Sequence, residues 1–289
     1  MIMLLIDAGN SRLKWALAKF QNGLQAGAWS NQNVLNNEQV TREIFAGLSP
    51  PDHVIISNVA GDKMTQILQD ACAAWSCNIK FVVAQQQQCG VLNTYQRPAQ
   101  LGSDRWAALI AAWQQQRSAC LVINCGTATT VDTLLINSNS SGSGIFLGGL
   151  ILPGVEMMQR SLTQRTAQLI EASGSLHDFP QNTADAIYSG AMRATLGAIQ
   201  QQYAMLVKYI DAQTNHADGI ENHPERATQH SLPRCLLSGG AAHLIQPHLA
   251  NLETAHDPDM VLRGLQVIGH DWITSWGAPL IIDPIFTRT

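Results

Sequence analysis

The sequence predicts an α/β fold built by duplication, and three observations carry that prediction. The chain opens with an apolar run at 3–6, reaches Asp7, and turns at Gly9-Asn10. It then resumes with Leu13, Trp15 and Leu17 alternating against Lys14, Ala16 and Ala18, which is a strand period. The same order returns at 119–136, as an apolar run, an Asn124-Cys125-Gly126-Thr127 turn, and a segment rich in β-branched residues. Between the two lies a strong helical pattern over 101–116, with Trp106, Leu109, Ile110 and Trp113 at i, i+3, i+4 and i+7. A chain of 289 residues has the length of two domains, so the halves are placed at 1–117 and 118–289.

Each element follows in order. Residues 3–6 and 13–18 form a hairpin. Its glycine turn is not a P-loop, because a strand period rather than a helix follows the glycine. Strands are predicted at 54–57 and 80–83, with helices at 62–75 and 101–116. In the second half, 137–144 is a Ser/Gly/Asn turn. Gly148-Gly149-Leu150-Ile151-Leu152-Pro153-Gly154 leads into a helix near 155–170. A longer helix runs from 184 to about 210, with Leu196, Ile199, Tyr203, Leu206 and Ile210 as its apolar stripe. Residues 211–233 are polar and read as an exposed excursion, so His216, His223 and His230 are solvated loop residues rather than metal ligands. The glutamine runs at 85–88 and 114–116 read as solvated. A buried strand at 235–237, a Ser238-Gly239-Gly240 turn and a helix at 241–249 follow.

The net charge of -4 argues against bulk affinity for nucleic acid or anionic membranes, while leaving room for a small anion held by a local loop. The apolar opening is too short for a secretion signal, and no run approaches the ~20 apolar residues of a membrane span. The six cysteines form no Cys-x-x-Cys pair, so neither a zinc site nor a thioredoxin-type motif is indicated. Reduced thiols in a cytoplasmic protein are the expectation.

A glycine at a turn lets backbone N–H groups approach an anion closely. A carboxylate beside such a turn would repel phosphate unless a cation lies between, so Asp7 suits hydrated Mg²⁺, which takes few protein carboxylates. Lys14 and Arg12 add compensating charge if they point inward. Thr127 and Thr129 supply hydroxyls and Asp132 a further carboxylate. Two such turns from duplicated halves can clamp a polyphosphate, and the Ser238-Gly239-Gly240 turn can admit a flat adenine. A tight structural hairpin is the competing account of Asp7-Ala8-Gly9-Asn10. Asp104 and Arg105 occupy the first turn of the 101–116 helix, where Ser103 is an expected N-cap and Asp104 a favourable first-turn acid whose pKa the helix terminus lowers. Thr183 has the same bland account, as N-cap of the helix from 184.

Taken together, these motifs resemble type III pantothenate kinases. The resemblance rests on Asp-x-Gly-Asn-Ser-x-x-Lys at 7–14, Gly-x-Asp-Arg at 102–105 and Cys-Gly-Thr-Ala-Thr-Thr-Val-Asp at 125–132. It also rests on Gly-Gly-x-Ile-x-Pro-Gly at 148–154, Asn-Thr-x-x-Ala-Ile-x-x-Gly at 182–190, and Gly239-Gly240. It implies the fold of the acetate and sugar kinase/Hsp70/actin superfamily, two duplicated ribonuclease-H-like domains with an interdomain cleft. It further implies ATP-dependent phosphorylation of pantothenate to 4′-phosphopantothenate, the first step of coenzyme A biosynthesis.

By the same resemblance, Asp7, Ala8, Gly9, Asn10, Ser11, Arg12, Leu13 and Lys14 form the first ATP phosphate loop, Gly126 and Thr127 the second, and Gly239 and Gly240 the adenosine turn. Asp104 is the catalytic base, with Tyr95, Gly102, Ser103, Asp104, Arg105 and Thr183 binding pantothenate. Mg²⁺ reaches Asp7 through water, and a monovalent cation, K⁺ or NH₄⁺, is used by a homodimer. The family's second loop usually begins with Asp, and Asn124 stands there, so a weak or altered K⁺ dependence is expected. The alternatives are another small-molecule kinase of the superfamily and a nucleotide-binding accessory factor for transcription.

Overall fold

The computed structural model describes residues 1–19, 23–30, 45, 47–137, 142–163, 174–217 and 232–274. They fall into two compact units. The first comprises Met1–Arg117, Ile136–Phe146 and Asp259–Thr289, the second Ser118–Leu135 and Leu147–Pro258.

The first unit begins with β1 (Ile2–Ala8), β2 (Arg12–Lys19), β3 (Gly23–Ser30), β4 (His53–Asn58), helix α1 (Asp62–Cys72) and β5 (Asn78–Phe81). Short strands β6 (Gln87–Gln88) and β7 (Val91–Asn93), a 3₁₀ turn at Pro98–Gln100 and helix α2 (Ser103–Gln116) follow. The main sheet has the order β3-β2-β1-β4-β5. Strands β1 to β3 are antiparallel, as hairpins allow, while β4 and β5 run parallel to β1. Both sides of β1 and β4 are covered, which is why both read as continuous apolar runs. Leu4, Ile6, Ala8, Val54 and Ile56 face the core that includes Met64, Ile67 and Leu68 of α1. Met3 and Ile55, on the opposite face, contact the C-terminal helix at Gly269. By strand alternation Asp7 and Ser57 lie on this second face.

In the second unit the chain forms β8 (Cys120–Cys125), β9 (Ala128–Ile136), β10 (Gly144–Pro153), α3 (Val155–Thr163), α4 (Thr183–Ala217) and β11 (Arg234–Ser238). Helix α5 (Ala242–Ile245), a 3₁₀ turn at Gln246–Leu249, and β12 (Thr254–His256) complete it. Strand β8 pairs antiparallel with β9 and parallel with β11, and β11 pairs parallel with β12. With β10 beside β9, the strand order of the first unit is repeated. This is the duplicated α/β pattern expected of two ribonuclease-H-like domains.

Packing and chain order divide the protein differently after residue 117. The start of β10, Gly144–Phe146, pairs parallel with β7 in the first unit. Helix α6 (Met260–Thr274), which the sequence reading did not mark, also packs there. Its Gly264 lies so close to the Ala107 carbonyl of α2 that a Cβ would collide with it. Helix α2 is buried from Ser103 to Trp113 except at half-buried Asp104, and Trp106 Nε1 donates to Gln88 Oε1 at 3.0 Å. Gln88 is therefore a buried partner of a core tryptophan, not part of a solvated run.

Other elements differ from their expected bounds. The 148–154 motif, read only as leading into a helix, lies mostly within a strand at 144–153, and α4 continues to Ala217, into the segment read as an exposed excursion. The rest of that segment, 218–231, with His223 and His230, lies outside the described residues, as do the side chain of His216 and the end of the helix expected to reach 170. The helix expected at 241–249 shortens to one α-turn because Pro247 opens a 3₁₀ turn.

Candidate active site

In the first unit Asp7 occupies the carboxyl end of central strand β1. Across the hairpin it pairs with Lys14, and across the parallel pair with Ser57. The turn between β1 and β2 is closed by Gly9 N–H donating to the Arg12 carbonyl at 3.1 Å. Asn10, Ser11 and Arg12 are exposed, whereas Ala8 and Leu13 are core residues, so those two offer a ligand only their backbone.

Asp104 reaches the same place from the start of α2. Its charge adds to the burial that pushes the Asp7 carboxyl up to about 7, while Lys14 pulls it down. Asp104 is itself raised by burial, against the lowering effect of the Arg105 N–H, the Arg105 charge and its own N–H. The helix terminus was expected to depress Asp104; desolvation outweighs it. Arg105 N–H donates to Asp104 Oδ1 at 2.8 Å. Gly102 is a close-approach glycine, since a Cβ there would stand 2.6 Å from Asp104 Oδ1.

Ser103 and Thr183 are not caps. Gly102 holds the N-cap position of α2 without a side-chain bond, and Ser103 Oγ instead lies 2.9 Å from Ser57 Oγ. Asn182 Oδ1 accepts the Asp185 N–H at 2.9 Å before α4, leaving Thr183 as an exposed first-turn residue.

Tyr95 and Arg105 come together. Arg105 is 6 % exposed, and its Nη1 donates to Tyr95 Oη at 3.2 Å. Its guanidinium carbon lies 5.8 Å from the Tyr95 ring centre and 6.0 Å from that of Phe146, so two aromatic faces hold the cation. Phe146, on β10, was not anticipated, nor was Ser57. Only the position of Ser57 at the carboxyl end of a parallel strand, where ligands of open α/β sheets gather, could have flagged it.

In the second unit three turns converge. Gly126 N–H donates to the Ala128 carbonyl and Gly154 N–H to the Thr127 carbonyl, at 3.0 and 2.8 Å. Gly154 packs so tightly on the Gly126 and Thr127 carbonyls that a Cβ has no room. Gly239, at φ +90°, packs on the Cys125 carbonyl and close to Asn124 Oδ1, and Ala241 N–H donates to the same Cys125 carbonyl at 2.9 Å. Gly240 faces open space and Thr127 is exposed. The 148–154 motif thus braces the second turn through Gly154. Asp132 is buried beneath β10, where a Cβ on Gly149 would strike its carboxylate.

Two units of one strand order, each opening on a glycine-turned hairpin, define a duplicated α/β fold. Solved structures agree at the level of fold. A conserved Baf-family protein from Campylobacter jejuni superposes with a TM-score of 0.54 at 18% identity, covering 94% of this chain and 99% of its own. A Sinorhizobium meliloti protein named as a 2-dehydro-3-deoxygalactonokinase gives 0.52 at 13% identity, covering 96% and 100%.

The family model for type III pantothenate kinase matches residues 3–205. A type III pantothenate kinase from Nitrosospira multiformis is 38% identical over 283 residues, 98% of this chain and 97% of its own. One from Aromatoleum aromaticum is 38% identical over 272 residues, 93% and 98%. The chain belongs to the type III pantothenate kinase family. It is accordingly a phosphotransferase that uses ATP to phosphorylate pantothenate, in coenzyme A biosynthesis.

Proposed function

We propose a division of labour for this reaction, whose product is 4′-phosphopantothenate. Asp104 orients the primary hydroxyl of pantothenate and accepts its proton as the oxygen bonds to the γ-phosphorus and ADP leaves. The meeting of Asp104 with Asp7, Arg105 and Tyr95 in one unit carries this reading. A loose phosphoryl-transfer transition state asks little of the base early on, and the raised pKa of Asp104 favours taking up the proton late. Arg105, held by two rings, offers its planar fork to the pantothenate carboxylate, with Tyr95 fixing its tilt. Gly102 and Ser103 add acceptor contacts in this unit, and Thr183 offers one in the second unit.

In the first unit, Asp7, Lys14 and the turn from Ala8 to Leu13 meet ATP phosphates. In the second, Gly126 and Thr127 do so, and Gly239 and Gly240 accept the adenosine. The paired carboxylates Asp7 and Asp104, with Asp7 raised to about 7, fit a hard divalent cation. Asp7 would hold Mg²⁺ through water, and the ion would neutralise phosphate charge. Asn124 offers a monovalent cation one neutral amide oxygen, which supports a weakened K⁺ or NH₄⁺ requirement.

Exposed Leu150, Ile151, Met157 and Phe179 in the second unit support a homodimer, which sedimentation velocity tests. All six cysteines are free, which supports a cytoplasmic setting. Among the described residues no helix is long and apolar enough to cross a membrane.

A coupled ADP-release assay, run with and without pantothenate, tests the assignment of roles when applied to Asp104→Asn. Turnover should be pantothenate-dependent and should fall by roughly 10²–10⁴-fold in the variant. Undiminished turnover would remove Asp104 from its role.

A further inference from the structure

Ser57 ends the apolar run of β4, opposite Asp7 in the register and on the same face of the sheet. Its side chain is fully buried, and its Oγ lies 2.9 Å from the buried Oγ of Ser103. Serine at a helix start ordinarily caps the helix through its hydroxyl. Ser103 does not, because the cap position is Gly102 and the hydroxyl is directed at a strand instead.

The strand end is itself fixed. Val59 N–H donates to the Ala8 carbonyl at 3.0 Å. Asn58 accepts from the Ala60 N–H and donates to the Gly61 carbonyl and Thr65 Oγ1, at 2.9, 3.0 and 2.8 Å. Further along, α2 is gripped by buried Trp106 and Trp113. The first turn of α2, which carries Asp104, is therefore tied by a side chain to the strand next to that of Asp7.

We propose that Ser57 is a positioning residue for phosphoryl transfer: through its hydroxyl bond to Ser103, it sets where Asp104 meets the acceptor hydroxyl. This rests on Asp104 being the base. Without the bond the helix body stays packed while its first turn loosens, so the loss falls on kcat rather than on nucleotide binding. Misplacing a reacting group by about 1 Å, or removing the support behind one, costs roughly ten- to a hundredfold.

The test is a double-mutant cycle with Ser57→Ala, Ser103→Ala and the pair together, alongside Asp104→Asn, read by steady-state ADP release and thermal unfolding. Each single variant should lower kcat roughly ten- to a hundredfold with KM for ATP within about twofold, and the double variant should be no worse than the single ones. An unchanged kcat in Ser57→Ala, or losses that multiply in the double variant, would overturn the proposal. So would loss of the fold in both single variants, which would make the pair structural only. Retained turnover in Asp104→Asn overturns the base assignment instead. Lost turnover there, with Ser57→Ala intact, overturns only the role of Ser57.

Discussion

Burial, and after it the charge of Asp104, holds the Asp7 carboxyl up at about 7 at the end of the first unit's sheet. Asp7 comes from the opening hairpin, Asp104 from a helix that starts about a hundred residues later.

The buried position of Asp7, with the Asp104 charge beside it, makes the ligand-free protein pH-sensitive. A carboxyl whose folded pKa is raised from 3.8 to about 7 contributes stability that is complete below about pH 4 and lost as pH rises through 7. Asp7→Asn removes the penalty of ionising it. Urea unfolding without nucleotide should show the variant and the parent alike near pH 4. At pH 8 the variant should be more stable by on the order of 2 kcal/mol, allowing for partial solvation. The same variant should lose turnover.

The cage around Arg105 predicts graded effects on the acceptor. Arg105→Lys keeps the charge but loses the fork and the stacking, and should raise KM for pantothenate by about tenfold or more. Tyr95→Phe keeps the ring and removes one hydrogen bond, worth about 1 kcal/mol or a few-fold in KM. Initial-rate titrations of pantothenate at saturating ATP measure both, and an unchanged KM in Arg105→Lys would end the carboxylate assignment.

Asn124 predicts the response to salt. Turnover measured across KCl, with choline chloride holding ionic strength, should show a weak K⁺ dependence, and Asn124→Asp should strengthen it by restoring a charged oxygen. A steep, saturable K⁺ requirement in the parent protein would contradict this.

The glycines of the second unit separate structure from binding. Gly239→Ala meets both a positive φ and the Cys125 carbonyl, and Gly154→Ala meets two carbonyls. Each should cost about 2–4 kcal/mol, or the fold itself. Gly240→Ala has open space around it. It should leave the melting temperature unchanged and show its effect in KM for ATP.

Much of the fold was legible because its signals are local. A continuous apolar run marked β1, alternation marked β2, and the i, i+3, i+4, i+7 pattern of Trp106, Leu109, Ile110 and Trp113 marked α2. The repeat of hairpin and glycine turn marked the duplication. What was missed depends on partners distant in sequence. Helix α6 is specified by packing on Ala107, Met3 and Ile55. Gln88 reads as polar and solvated until Trp106 is seen to need an acceptor. The residue types of the site were legible as motifs, but their roles were not. Ser103 has the composition of a cap and makes a different bond. Asp104 has the position of a depressed acid, yet burial raises its pKa.

Helix α2, enclosed along nearly its whole first three turns, gives the proposed acceptor site an unyielding floor. A molecule designed to block pantothenate would therefore have to match the shape already there, since little adaptation is on offer. Resistance by small shifts of this helix would be rare, because any substitution that moved it would have to repack two tryptophans at once.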